Sequence, residues 1–190
     1  MKRIARTLMP VGLAAALVTP VLTAQAEAQT QVPGPARVAA VQSENGEVGA
    51  AKAYSRNTTL SRAKSWLTAN HGKRVPYSQS RTFGGYRTDC SGYVSMALKL
   101  AKPGTNTVGL TSSRYTRKIK MSSLRKGDLV IDANGSNTTR HVVIFVKWTS
   151  GAHRSYVAYE QRGGYGTDRS VRSYGLGADQ YDAYRPKKYG

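Results

Sequence analysis

From Asp128 onward, short apolar blocks alternate with turn residues, and this succession constrains the fold more than any other feature of the chain. Leu129-Val130-Ile131, His141–Val146 and Ser155–Glu160 read as strands. Weaker strand signals lie at Arg169–Tyr174 and Tyr181–Arg185. The connections are too short for crossover helices, so the strands should pair as antiparallel hairpins. Upstream the period changes. Leu60, Ala63, Lys64, Trp66 and Leu67 form a helical stripe that Asn70-His71-Gly72 ends. A second stripe, Cys90, Tyr93, Val94, Ala97, Leu98 and Ala101, predicts a helix from Asp89 to Ala101, stopped by Pro103-Gly104. Val75-Pro76-Tyr77 to Arg87 reads as irregular. Helices followed by an antiparallel sheet define an α+β domain.

The first 28 residues have a different character. Lys2, Arg3 and Arg6 precede an apolar run from Leu8 to Leu22, which Pro10 and Pro20 interrupt. Ala24-Gln25-Ala26 and Ala26-Glu27-Ala28 are small-x-small sites. This is the pattern of a secretory signal peptide, predicted over residues 1–28. The run is too short and too broken for a membrane span, so no stable membrane insertion is expected after its removal. Residues 29–57, with Pro33-Gly34-Pro35, read as a poorly ordered linker, with room for a short helix around Gly46–Tyr54. The folded domain is predicted over 58–190, and a monomer is expected.

Charge narrows the partner. The 190 residues carry 29 Lys plus Arg against 10 Asp plus Glu, a formal net charge of +19. Such a chain favours polyanions. Export disfavours nucleic acid and favours an anionic cell wall. Seven of the 12 tyrosines follow residue 150, interleaved with Arg and Lys, and their first reading is packing on the sheet.

One cysteine excludes an intrachain disulfide and a multi-cysteine zinc site, and no metal or other cofactor is expected. Cys90 follows Asp89, a good N-cap residue, and so falls in the first turn of its helix. Unpaired amide N–H groups there favour a thiolate. Ser91 and Gly92 are small enough to admit a substrate chain. A cysteine nucleophile needs a base, and the chain offers three histidines. His71 lies at a helix end and His153 in the polar turn Thr149–Arg154. His141 opens the most apolar strand, at the rim of the sheet, and is the predicted base. A hairpin centred between Ser150 and Gly151 would set Glu160 directly across from His141, as the group that orients the imidazole. A one-residue slip would put Gln161 there instead. Asp168, Asp179 and Asp182 stand outside this arrangement. The chain lacks G-x-S-x-G, a phosphate loop and H-E-x-x-H, so serine hydrolase, nucleotidase and zinc-protease chemistry have no carrier.

Four segments carry a resemblance, in order along the chain. Thr88-Asp89-Cys90-Ser91-Gly92-Tyr93-Val94 resembles the D-C-S-G-h-V signature of the NlpC/P60 peptidases. Arg74-Val75-Pro76-Tyr77 resembles their upstream "-PY" segment. Leu124–Val130 is similar to their L-x-P-G-D-L-V turn, with Lys126 in place of Pro. Arg140-His141-Val142-Val143-Ile144 is similar to their H-V-G-I-Y strand. The resemblance implies a papain-like NlpC/P60 fold and thiol hydrolysis of amide bonds in peptidoglycan stem peptides, by an endopeptidase or amidase. It gives Cys90 as nucleophile and His141 as base, and it places Tyr77 beside the nucleophile. Many members carry a second His as third residue. Glu160 is more similar to the acidic residue of the related CHAP group. Tyr77, Asp89, Ser91 and Gly92 are then the expected substrate contacts, with peptidoglycan and anionic wall polymers as partners outside the cell. Two other readings keep the same sequence features: an acyl-transferring, transglutaminase-like relative, and a secreted basic binding protein without activity.

Overall fold

The computed structural model of the protein describes residues 54–190. The predicted signal peptide, most of the predicted linker and most of the candidate helix at Gly46–Tyr54 lie outside the described residues. Folded structure is present before the expected Thr58. Ser55 caps α1 (Arg56–Ser65) by accepting the Thr58 N–H at 3.0 Å. Tyr54 donates its hydroxyl to the Ala97 carbonyl, and Arg56 pairs with Asp128 at 2.7 Å. Residues 54–57 therefore belong to the domain and not to a linker.

The segment expected to be irregular contains a small hairpin, β1 (Thr82–Phe83) with β2 (Tyr86–Arg87). Gly84 and Gly85 form its turn at φ 59° and 84°, the left-handed region that suits glycine. Next comes α2 (Cys90–Ala97), capped by Asp89, whose carboxylate accepts the Gly92 N–H. All eight of its residues are buried, which marks a central helix enclosed on every side. It stops at Leu98, earlier than predicted, and Lys99 turns left-handed at φ 51°. A short helix α3 (Thr107–Thr111) and the strand β3 (Thr116–Ile119) follow, neither of them predicted.

The remaining strands are β4 (Leu129–Asp132), β5 (His141–Trp148), β6 (Tyr156–Arg162), β7 (Gly166–Arg172) and β8 (Asp182–Pro186). They form one six-stranded sheet in the order β3-β8-β4-β5-β6-β7, with every pairing antiparallel. The α+β class is as expected. One face of the sheet, with Leu129, Ile131, Val142, Ile144 and Tyr159, packs in the same core as Ala63, Trp66, Tyr93, Val94 and Leu98. The other face, with Val130, Val143, Phe145, Tyr156 and Ala158, is covered from outside by Leu124, Tyr174, Leu176 and Tyr181. Most of the late tyrosines thus pack on the sheet. Tyr165, in the β6–β7 turn, is exposed.

The β5–β6 register differs from the predicted one. Val143 faces Glu160, Ile144 faces Tyr159, and a bulge between Phe145 and Lys147 inserts an extra residue before the turn. The hairpin turns about Ala152, later than predicted, the bulge takes back one position, and Glu160 lies two positions from the residue opposite His141. A shift of two preserves the face. Glu160 and His141 remain on one side of the sheet as diagonal neighbours.

Candidate active site

Asp89 and Arg87 build the start of α2. Arg87 donates to Asp89 at 2.8 Å, to Ser91 Oγ at 3.1 Å, and to the Gly104 and Thr105 carbonyls at 2.6 and 2.9 Å. The Ser91 hydroxyl donates to Asp89 at 3.0 Å. This network ties β2, α2 and the 104–107 segment together around Cys90. The only sequence signal for Arg87 is its place three residues before Cys90. Asp89 and Ser91 line the cleft, yet their polar atoms are engaged within the protein. Gly92 serves packing and not substrate access: a Cβ there would sit 2.2 Å from the Arg87 carbonyl oxygen. These three expected substrate contacts thus act first as supports for the nucleophile's helix.

Cys90 is buried at the floor of a polar cleft of about 210 Å³. Tyr77, Gln79, Asn106, Thr107, Asn137 and Arg140 contribute to its walls. The Cys90 Sγ lies 3.8 Å from the Thr107 hydroxyl and 4.0 Å from the Arg140 carbonyl. The start of α2 therefore meets the start of β5. Tyr77 stands beside Cys90. Burial raises its pKa, the Gln79 amide opposes that shift, and the charge of Cys90 adds to it.

His141, the first residue of β5, bonds Glu160 Oε2 through Nε2 at 3.0 Å. With Nε2 committed to Glu160, Nδ1 is the ring nitrogen left for the sulfur. Burial alone would lower the His141 pKa. Its interactions with Cys90 and Glu160, whose negative charges favour the imidazolium, outweigh it and raise the pKa to about 9. Glu160 is fully buried. Burial would raise its pKa, but hydrogen bonds from His141, Ser170 and Arg172 hold it down at about 2. Oε1 accepts from Arg172 Nε at 2.7 Å and from the Ser170 hydroxyl. Ser170 and Arg172 come from β7 and carry no motif that would single them out in the sequence.

The other candidates are elsewhere. His153 stacks on Trp148, with centroids 4.2 Å apart, and His71 occupies an exposed turn at φ 52°. Neither lines the Cys90 cleft. Gln161 points away from His141. Its amide donates to the Val75, Pro76 and Thr88 carbonyls at 3.1–3.2 Å, clamping the segments that carry Tyr77 and Asp89. Asp168 binds Arg162 at 2.7 Å, Asp179 caps a turn at Gly175, and Asp182 pairs with Lys118. Among the described residues no cluster of three or more His, Cys, Asp and Glu is placed to hold a metal ion. No helix among them is long and apolar enough to cross a membrane.

A cysteine at a helix start, a histidine at a strand start and a carboxylate behind it form an arrangement suited to acyl transfer through a thioester. The NlpC/P60 family model matches residues 73–172, more than half of the chain, and the chain belongs to the NlpC/P60 family. Members of that family are generally cell-wall peptidases or hydrolases that use a cysteine. Among solved structures, the chain is similar to an NlpC/P60 family protein from Bacillus cereus, with 16% identity and a TM-score of 0.48. That match covers 73% of this chain and 41% of the other. It is also similar to a lipoprotein-like NLP/P60 family protein from Staphylococcus aureus, with 16% identity and a TM-score of 0.43, over 67% and 40% of the two chains. The chain thus spans about two fifths of the length of these structures. None of the curated proteins matches it.

Proposed function

We propose that the protein is a secreted cysteine hydrolase that cleaves amide bonds in the stem peptides of peptidoglycan. The observation that carries this reading is the meeting of Cys90, at the capped start of α2, with the start of β5, where a buried carboxylate holds His141 at 3.0 Å. In the proposed reaction the Cys90 thiolate attacks the amide carbonyl carbon. The Cys90 backbone N–H, a first-turn amide, is the candidate donor to the developing oxyanion. The C–N bond breaks as the imidazolium of His141 delivers its Nδ1 proton to the leaving amine. The acyl group stays on sulfur as a thioester. His141, now neutral, takes a proton from water, the hydroxide adds to the thioester, and the thiolate departs. Glu160 orients the ring and stabilises its charged form throughout.

Tyr77 offers a half-buried ring beside Cys90, while Gln79, Asn137 and Arg140 supply polar groups for a peptide backbone or carboxylate. The net charge, +19 for the full chain and +17 without residues 1–28, suits retention on anionic wall polymers. The test is mass spectrometry of purified peptidoglycan incubated with the protein. New amino and carboxyl termini at one stem-peptide amide are expected, and their position identifies the bond. Unchanged fragments with wild-type protein, on sacculi from several wall chemotypes, would overturn the reading.

A further inference from the structure

Glu160 belongs to a larger assembly than a three-residue relay. Its Oε2 faces His141 on β5, while its Oε1 faces β7 and receives Arg172 Nε at 2.7 Å and the Ser170 hydroxyl. Arg172 also brings Nη2 to the same oxygen, so the guanidinium grips it from two nitrogens. The carboxylate is fully buried, whereas the Arg172 side chain keeps 20% of its surface exposed. Arg162, on the same strand as Glu160, stands farther off at 3.9 Å and is itself committed to Asp168 at 2.7 Å. Tyr174, just beyond β7, places its ring edge-on to His141, with centroids 6.1 Å apart, and stacks on Tyr181 at 4.5 Å. Tyr93 and Tyr156 complete the surroundings from α2 and β6. Arg172 is thus the cation joined directly to the oxygen that His141 leaves free.

We infer that Arg172, assisted by Ser170, is a positioning residue for the reaction: it anchors Glu160 Oε1 so that Oε2 stays ionised and aimed at His141. This inference rests on the proposed hydrolase reading. Its physical basis is geometric. A buried carboxylate with one partner can rotate about its terminal torsion and can take up a proton, and either event releases the imidazole. A charge-assisted fork on the second oxygen blocks both. Arg172 touches neither Cys90 nor the cleft lined by Tyr77, Gln79 and Arg140; its direct link to the pair is Glu160, and its guanidinium also lies 5.5 Å from the centre of the Tyr174 ring, a second route that the Glu160→Gln background separates. It is also the last residue matched by the family model, and the Tyr174 ring beside His141 lies beyond that match. The support of Glu160 is therefore supplied by the C-terminal edge of the sheet.

A double-mutant cycle on the full chain tests this. Arg172→Met is expected to lower kcat by about 10- to 100-fold with little change in KM, because an orienting group is lost and the cleft is untouched. Its acid limb should move to higher pH, since Glu160, freed from the guanidinium, takes a proton more readily. Arg172→Lys keeps the charge without the fork. It should recover only part of the rate, and its acid limb should move less far than that of Arg172→Met. In a Glu160→Gln background, Arg172→Met should cost less than about 2-fold, as expected for residues acting as one unit. An equal cost in both backgrounds, or an unmoved acid limb, would show a merely structural role and overturn the inference. Carboxyl carbon NMR of Glu160 needs no substrate and can be run on Arg172→Lys if Arg172→Met does not fold. The Glu160 midpoint should rise in either variant, and an unchanged midpoint overturns the inference. A wild-type protein that cleaves nothing while this midpoint moves would refute the hydrolase reading alone.

Discussion

Each member of the His141–Glu160 pair keeps the other charged, and the signs of the two shifts fix how stability depends on pH. Glu160 sits at about 2 in the folded protein, below the value of an ordinary carboxyl. Its contribution is therefore present above the unfolded value of about 4.3 and is lost as pH falls toward 2. His141 sits at about 9, above its unfolded value. Its contribution is complete below about 6.5 and is lost as pH rises through 9. These are two ends of one interaction and do not add. Calorimetry across pH should show a Tm plateau between about pH 5 and 6.5 that declines on both sides, and Glu160→Gln should flatten both declines. An unchanged pH profile in that variant would contradict the ion pair. In catalysis the same residues order themselves. Cys90→Ala and His141→Ala should each lower kcat/KM by at least about 1,000-fold, and Glu160→Gln by about 10- to 1,000-fold, in steady-state assays. His71→Ala and His153→Ala should stay within about 2-fold, because His71 sits in an exposed turn and His153 stacks on Trp148, neither of them joined to Glu160 or Cys90.

At the scale of elements, the packing of α2 against β2 places the nucleophile. Gly92→Ala would drive a Cβ to 2.2 Å from the Arg87 carbonyl oxygen, a backbone atom that cannot swing aside. A stability loss of about 1–3 kcal/mol is expected, together with reduced activity of the fraction that still folds, because Cys90 starts the displaced helix. Denaturant titration and active-site counting would check both. A Gly92→Ala protein of wild-type stability would mean that glycine is not needed there. The sequence made much of this legible. Asp89 announces the cap, and the apolar run after His141 announces a core strand, because both signals are local. The edge strand Thr116–Ile119 escaped notice because an edge carrying Arg117 and Lys118 has no alternating apolar pattern. The later turn centre and the bulge between Phe145 and Lys147 have no sequence mark either, and their net effect is a register shift of two. Glu160 still met His141 because strand side chains repeat with period two. Arg172 and Ser170 were invisible for another reason: their role exists only once β7 pairs with β6.

For the whole molecule, charge and buried ion pairs divide the labour. Asp128 is fully buried between Arg56 of α1 and Arg185 of β8, each at 2.7 Å, and this cluster joins the first helix to the centre of the sheet. The Gly127-Asp128 turn is therefore structural, and Asp128→Ala should destabilise by about 3 kcal/mol in denaturant melts while the folded fraction keeps its turnover. On the proposed function, the excess of basic side chains is what would meet a wall polyanion. Binding of Cys90→Ala protein to sacculi should weaken steeply between about 0.05 and 0.5 M salt, as expected for exposed charges. Binding that is indifferent to salt in a pelleting assay would remove charge as the basis of retention.

The catalytic expectations depend on Cys90 carrying the acyl group. The most direct measurement is acid-quenched mass spectrometry of the protein mixed for short times with soluble peptidoglycan fragments. The account expects a transient acyl mass on the peptide containing Cys90, labile to hydroxylamine and absent from Cys90→Ala. It also expects that mass to equal the acyl portion of the fragment released. Cleavage products appearing with no adduct, or at the same rate from Cys90→Ala, would contradict it.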